Sequence, residues 1–136
     1  MASIRKEMTV RANPALVWDA IRDVGAIHTR LAPGFVTDTR LEGDARIVTF
    51  ANGQTAKERI VTIDDDACRL VWAVVGTRLT HHNASIQVFA EGQRSHLVWI
   101  ADVLPDDLSG YVGAMMQQGM DAMRRKLEAD ATAHAG

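Results

Sequence analysis

Two places in this chain set residues with acid–base chemistry among apolar ones. The first is His81-His82, in the segment 79–89. Side chains alternate along a strand, so His82, Ala84, Ile86 and Val88 share one face and His81, Asn83, Ser85 and Gln87 the other. The second set is polar and belongs outside, which turns His82 inward. A buried neutral imidazole can donate or accept a hydrogen bond, and its ordinary pKa suits general acid or base catalysis. The plainer role for His82 is to satisfy Tyr111 or a backbone carbonyl. Adjacent strand residues point to opposite faces, so His81 and His82 cannot share a metal, and no spacing brings His28 or His96 to them. We expect no metal and no cofactor.

The second place is Arg46 and Glu58, on either side of Asn52-Gly53. A two-residue turn at Asn52-Gly53 would put them on different faces. A three-residue loop, Ala51-Asn52-Gly53 with Gly53 left-handed, would set Arg46 opposite Glu58, with Val48, Phe50, Ala56 and Ile60 on the same side. The second register buries more apolar side chains and is the one expected. Such an inward pair could hold a carboxylate or ketone of a ligand, Glu58 could act as a base, or the two could form a purely structural salt bridge. The chain has no nucleophile motif, phosphate loop, dinucleotide fingerprint or HExxH helix, and Ser85, Ser95 and Ser109 have no activating base at a readable spacing.

The elements that must position these residues follow from pattern. A first strand around Ile4, Met8 and Val10 ends at Asn13-Pro14, an N-cap and first-turn pair that predicts a helix from 14 to about 24. One more helical turn is expected over 26–31 before Pro33-Gly34. Segments 35–41, 45–50, 54–63, 70–75, 79–89 and 95–104 are rich in Val, Ile, Thr, Phe and Trp and are separated by turn residues, which predicts an antiparallel meander. Segment 105–127 opens with Pro105, Asp106 and Asp107, closes with Arg124, Arg125 and Lys126, and carries apolar residues at helical spacing. It reads as one long amphipathic helix. The order is β-α-α-β6-α, an α+β chain whose curved antiparallel sheet of about seven strands wraps its long C-terminal helix. Parity points Leu70, Trp72 and Val74, and Leu97, Trp99, Ala101 and Val103, toward that helix. The predicted cavity is lined by Arg46, Val48, Glu58, Ile60, Trp72, His82, Ile86, Leu97, Trp99, Tyr111, Met115, Met116, Gly119 and Met123. Two indoles, an imidazole and flexible methionines suit a flat or extended apolar ligand with one polar end.

At 136 residues and 47% hydrophobic the chain is expected to form one domain, with a core over 3–128 and a frayed tail over 130–136. A net charge of -2 offers no basic field, so nucleic acid is not an expected partner. Arg5, Lys6 and Glu7 interrupt any signal-peptide run, and no apolar stretch approaches the ~20 residues of a membrane span. The lone Cys68 fits a reducing compartment. These features predict a soluble cytoplasmic protein, monomeric or homodimeric through its first strand.

The run Gly43-Asp44-Ala45-Arg46-Ile47-Val48-Thr49-Phe50-Ala51-Asn52-Gly53, followed by Glu58-Arg59-Ile60 and Asp64, resembles the bacterial polyketide cyclase/dehydrase-like branch of the SRPBCC superfamily. Asn13-Pro14-Ala15-Leu16-Val17-Trp18, Leu70-Val71-Trp72 and Leu97-Val98-Trp99 match as well. The resemblance implies the helix-grip fold shared with START domains and the birch-pollen allergen. It implies several functions, since the superfamily holds lipid carriers, receptors, cyclases, oxygenase domains and chaperone cofactors. Related sequences often carry tryptophan two residues before the proline, where this chain has Leu31, so the resemblance implies a differently shaped corner of the pocket there. The leading expectation is binding of a small hydrophobic molecule. The alternatives are a cyclase or dehydratase using His82 or Glu58 for proton transfer, and an interaction module with no cavity.

Overall fold

A computed structural model of the chain describes residues 1–135. Strand β1 (Ala2–Val10) leads into α1 (Pro14–Arg22) and a π-helical turn (Ile27–Leu31). Six strands follow: β2 (Val36–Glu42), β3 (Ala45–Phe50), β4 (Thr55–Asp64), β5 (Arg69–Val75), β6 (His81–Glu91) and β7 (Arg94–Leu104). A 3-10 turn (Asp106–Leu108) then enters α2 (Ser109–Ala135). All seven strands form one antiparallel sheet in the order β1-β7-β6-β5-β4-β3-β2. This is the helix-grip arrangement.

Local chemistry explains the starts and stops. The Asn13 side chain accepts from the Leu16 N–H at 2.9 Å, and Pro14 supplies the first helical position of α1. In the β3–β4 connection Gly53 sits at φ +85°, a left-handed position that favours glycine. The resulting register sets Arg46 opposite Glu58, as in the expected three-residue loop. A bulge at Val61 shifts β4 against β5, so that Ile60 pairs with Trp72 and Thr62 with Val71.

The apolar face of α2 lies in the concavity, where Met116, Met120, Met123 and Leu127 are buried with Val10, Leu97 and Val103. Helix α2 continues to Ala135, through most of the span 130–136 expected to be a frayed tail, and Gly136 lies outside the described residues. The reason lies in its residues: Ala129, Ala131 and Ala133 have the highest intrinsic helix propensity, Ala131 packs on the core, and Lys126 pairs with Asp130 at i,i+4. No helix among the described residues is long and apolar enough to cross a membrane.

Candidate functional site

Between sheet and helix lies a cavity of about 610 Å³. One row of inward side chains crosses the sheet through it, because Arg46 pairs with Glu58 and Glu58 with Val74, with His82 next in line on β6. Arg46 and Glu58 are only 4% and 8% exposed. The Arg46 Nε donates to Glu58 Oε1 at 2.8 Å, its Nη1 reaches the Val24 carbonyl at 3.4 Å, and the guanidinium lies 5.5 Å from the Trp72 ring centre. A buried charge needs such partners, since desolvation would otherwise cost several kcal/mol. Glu58 Oε2 has no hydrogen-bond partner among the described residues and keeps accessible surface.

His82 is held in a different way. Regular pairing of β5 with β6 runs from Arg69↔Gln87 to Trp72↔Ala84 and stops there. The next backbone N–H, of Val74, donates to the imidazole Nδ1 at 3.1 Å. An accepting Nδ1 carries no proton, so the neutral ring bears its hydrogen on Nε2. Burial, partly opposed by the charge of Glu58, pushes the His82 pKa below its ordinary value. The ring is therefore neutral at pH 7, and its Nε2–H, which has no acceptor among the described residues, is a donor to the cavity. Neither nitrogen offers a free lone pair for a base.

The apolar walls come from both sides. Trp72 and Trp99 lie with ring centres 5.9 Å apart at 52°. Met115, Met116 and Met123 face them from α2, with Val48 and Ile86 on the sheet. At the mouth Tyr111, 44% exposed, donates its hydroxyl to Gln54 Oε1 at 2.6 Å, joining the first turn of α2 to the β3–β4 hairpin.

Of the residues expected around the cavity, Arg46, Val48, Glu58, Trp72, His82, Ile86, Trp99, Tyr111, Met115, Met116 and Met123 line it. Three do not. Leu97 is fully buried opposite Met8 and Val88, in a row that core side chains fill completely. Ile60 faces inward but lies past the last β3–β4 pair, Ala45↔Arg59, and packs on the core there. Gly119 is already occupied: a Cβ on it would come within 3.0 Å of Trp99 Cζ3 and 3.2 Å of Phe35 Cε2. The Trp99 indole N–H is buried with no partner among the described residues, so packing against Gly119 sets the ring position. Tyr111 does not reach His82 and binds Gln54 instead.

Sequence reasoning put only Leu31 at a corner of the pocket and missed the rest of that wall, Ile21, Ile27, Ala32, Phe35 and Val36, and the mouth residues 53–55 and 76–79. These come mostly from turns and irregular backbone, where alternation gives no facing. The other available signal was Pro33-Gly34, whose Gly34 at φ +89° folds the chain back toward the sheet.

A sequence profile described as "Polyketide cyclase / dehydrase and lipid transport" matches residues 1–128. The chain belongs to this family. Comparison with curated proteins finds no match. Among solved structures, one from Thermobifida fusca is similar at 27% identity, covering 91% of each chain with a TM-score of 0.76. The Zhui aromatase/cyclase from Streptomyces is similar at 16% identity, over 99% of this chain and 96% of that one, with a TM-score of 0.73. Norcoclaurine synthase from Thalictrum flavum, in complex with dopamine and hydroxybenzaldehyde, is similar at 18% identity over 98% and 87%, with a TM-score of 0.72. The last two likenesses show the fold. Family membership supports a ligand-binding or cyclase role for the cavity, which contains two indoles and one fixed imidazole donor.

Proposed function

We propose that this protein binds a small hydrophobic molecule, aromatic in part, between its sheet and α2, with an oxygen of the ligand on His82 Nε2–H. The observation that carries this reading is the cavity itself. Its volume of about 610 Å³ falls inside the ~300–1,000 Å³ of small-molecule pockets, whereas a filled core holds few voids larger than a water molecule. Trp72 and Trp99 supply flat apolar surface, the methionines adapt to shape, and Glu58 Oε2 can accept from a ligand hydroxyl. The norcoclaurine synthase complex supports the reading, since that related fold holds two aromatic molecules.

A second reading, cyclase or dehydratase chemistry, rests on the free Glu58 Oε2 as proton acceptor. His82 would then orient a carbonyl. The two readings separate on Glu58→Gln. A carrier changes affinity modestly, whereas an enzyme loses turnover of its substrate by about a hundredfold or more with affinity intact.

Titration with phenylnaphthylamine, a neutral dye that fluoresces in apolar surroundings, tests binding directly. The expected result is saturable binding of one dye per chain, displaced by whatever small molecule native mass spectrometry finds co-purifying. Absence of any saturable binding would overturn the proposal.

A further inference from the structure

Among the described residues, four of the cavity-lining side chains are acidic, guanidinium or imidazole groups: Arg46, Glu58, Arg78 and His82. The first two form the buried ion pair and cancel. His82 is neutral, held so by the Val74 N–H at its Nδ1. That leaves Arg78, in the β5–β6 connection at the mouth, as the one uncompensated charge among the described lining residues. Among the described residues its guanidinium has no carboxylate within 4.0 Å and no hydrogen-bond acceptor. The other polar groups at the mouth are uncharged: Gln54, Thr55, Thr77 and the Tyr111 hydroxyl. Asp106 and Asp107 precede α2 but do not line the cavity, and Asp106 is held by the amino terminus of Met1 at 3.2 Å.

We infer that the cavity selects amphipathic anions, with the apolar body under Trp72 and Trp99 and a carboxylate, sulfonate or phosphate group on Arg78 at the entrance. This rests on the ligand-binding reading of the same cavity and adds the charge of the ligand and its direction of entry. The geometry favours the mouth as the anion's place for a physical reason. An anion taken deep would lose its hydration beside Glu58, whereas at Arg78 it keeps water on one side and gains a planar, multidentate donor on the other. A neutral molecule of the same shape would leave that donor unused.

The test uses two dyes with one ring skeleton, anilinonaphthalene sulfonate and neutral phenylnaphthylamine, titrated into wild-type protein and into Arg78→Gln and Arg78→Glu. The expected result is that Arg78→Gln weakens the sulfonate dye about tenfold, Arg78→Glu weakens it more, and neither changes the neutral dye. Added salt should weaken the sulfonate dye on wild type and not on Arg78→Gln. Unchanged sulfonate affinity in Arg78→Gln overturns the inference, as does an equal loss for both dyes, which would mean a damaged mouth. If wild-type protein bound neither dye, the ligand-binding reading itself would fall.

Discussion

At the scale of single residues, His82 occupies a position where a backbone carbonyl would ordinarily take the neighbouring strand's N–H. Protonating its ring would set a second N–H against that of Val74 and would charge a buried group. The folded-state pKa therefore lies below the unfolded value near 6.5, and between the two the unfolded chain holds more protons. Stability from this source is complete above pH 6.5 and is lost as pH falls through that value. The expected outcome is a melting temperature that drops between pH 7 and pH 5 in wild type and stays flat over that range in His82→Gln. The carboxylates of Glu7, Asp19, Asp65 and Glu128, all held low chiefly by arginine partners or, for Glu128, by the Arg11 backbone N–H, titrate further down. A wild-type profile flat from pH 7 to pH 5 would show that Nδ1 is not an acceptor. Arg46 invites a second experiment. Arg46→Met leaves Glu58 buried without its partner and should cost about 3–5 kcal/mol in urea unfolding, while Arg46→Met with Glu58→Met should recover most of that. Equal losses in the single and double variants would mean that the pair is not acting as a pair.

At the scale of elements, regular strands were the most readable part of the chain. Parity placed Trp72, His82, Ile86 and Trp99 on the concave side because a strand offers only two faces and polar residues claimed the other. Helix α2 was readable for the same kind of reason, with its methionines at helical spacing. What resisted was side-chain reach and irregular backbone. Nothing in the residue order says that Trp99 and Phe35 fill the space above Gly119, or that residues 27–36 fold back as a wall. Nor does it say that rows near Leu97 pack solid while rows near His82 stay open. Gly119 carries a prediction that reflects this. Gly119→Leu must push the Trp99 ring from its place, and the expected result is a shifted tryptophan fluorescence spectrum and at least a fivefold loss of phenylnaphthylamine affinity, with the fold retained by circular dichroism. Full affinity would mean that the displaced ring leaves the chamber untouched. The hairpin turn carries another: Gly53→Val, forced into φ +85°, should lose about 1–2 kcal/mol of stability without changing the Arg46–Glu58 register.

At the scale of the molecule, an open chamber of about 610 Å³ within 136 residues leaves apolar surface that a tightly filled core would have covered. Filling it should stabilise the whole fold: at a hundredfold excess of ligand over its dissociation constant the gain is about 2.7 kcal/mol, visible as a raised melting temperature. The topology has a further outcome in time. Strand β1 finds its partner in β7, with pairs that run from Val10↔Ser95 to Ala2↔Val103, so the first strand of this sheet waits for the last of it. Such distant pairing implies slow folding for a chain this size, on the order of milliseconds to seconds. A nascent chain ending at Glu91 would have neither the partner of β1 nor α2 to close the concavity. It should remain sticky and protease-sensitive, so that on the ribosome this fold passes through a long interval of vulnerability that ends only when α2 emerges.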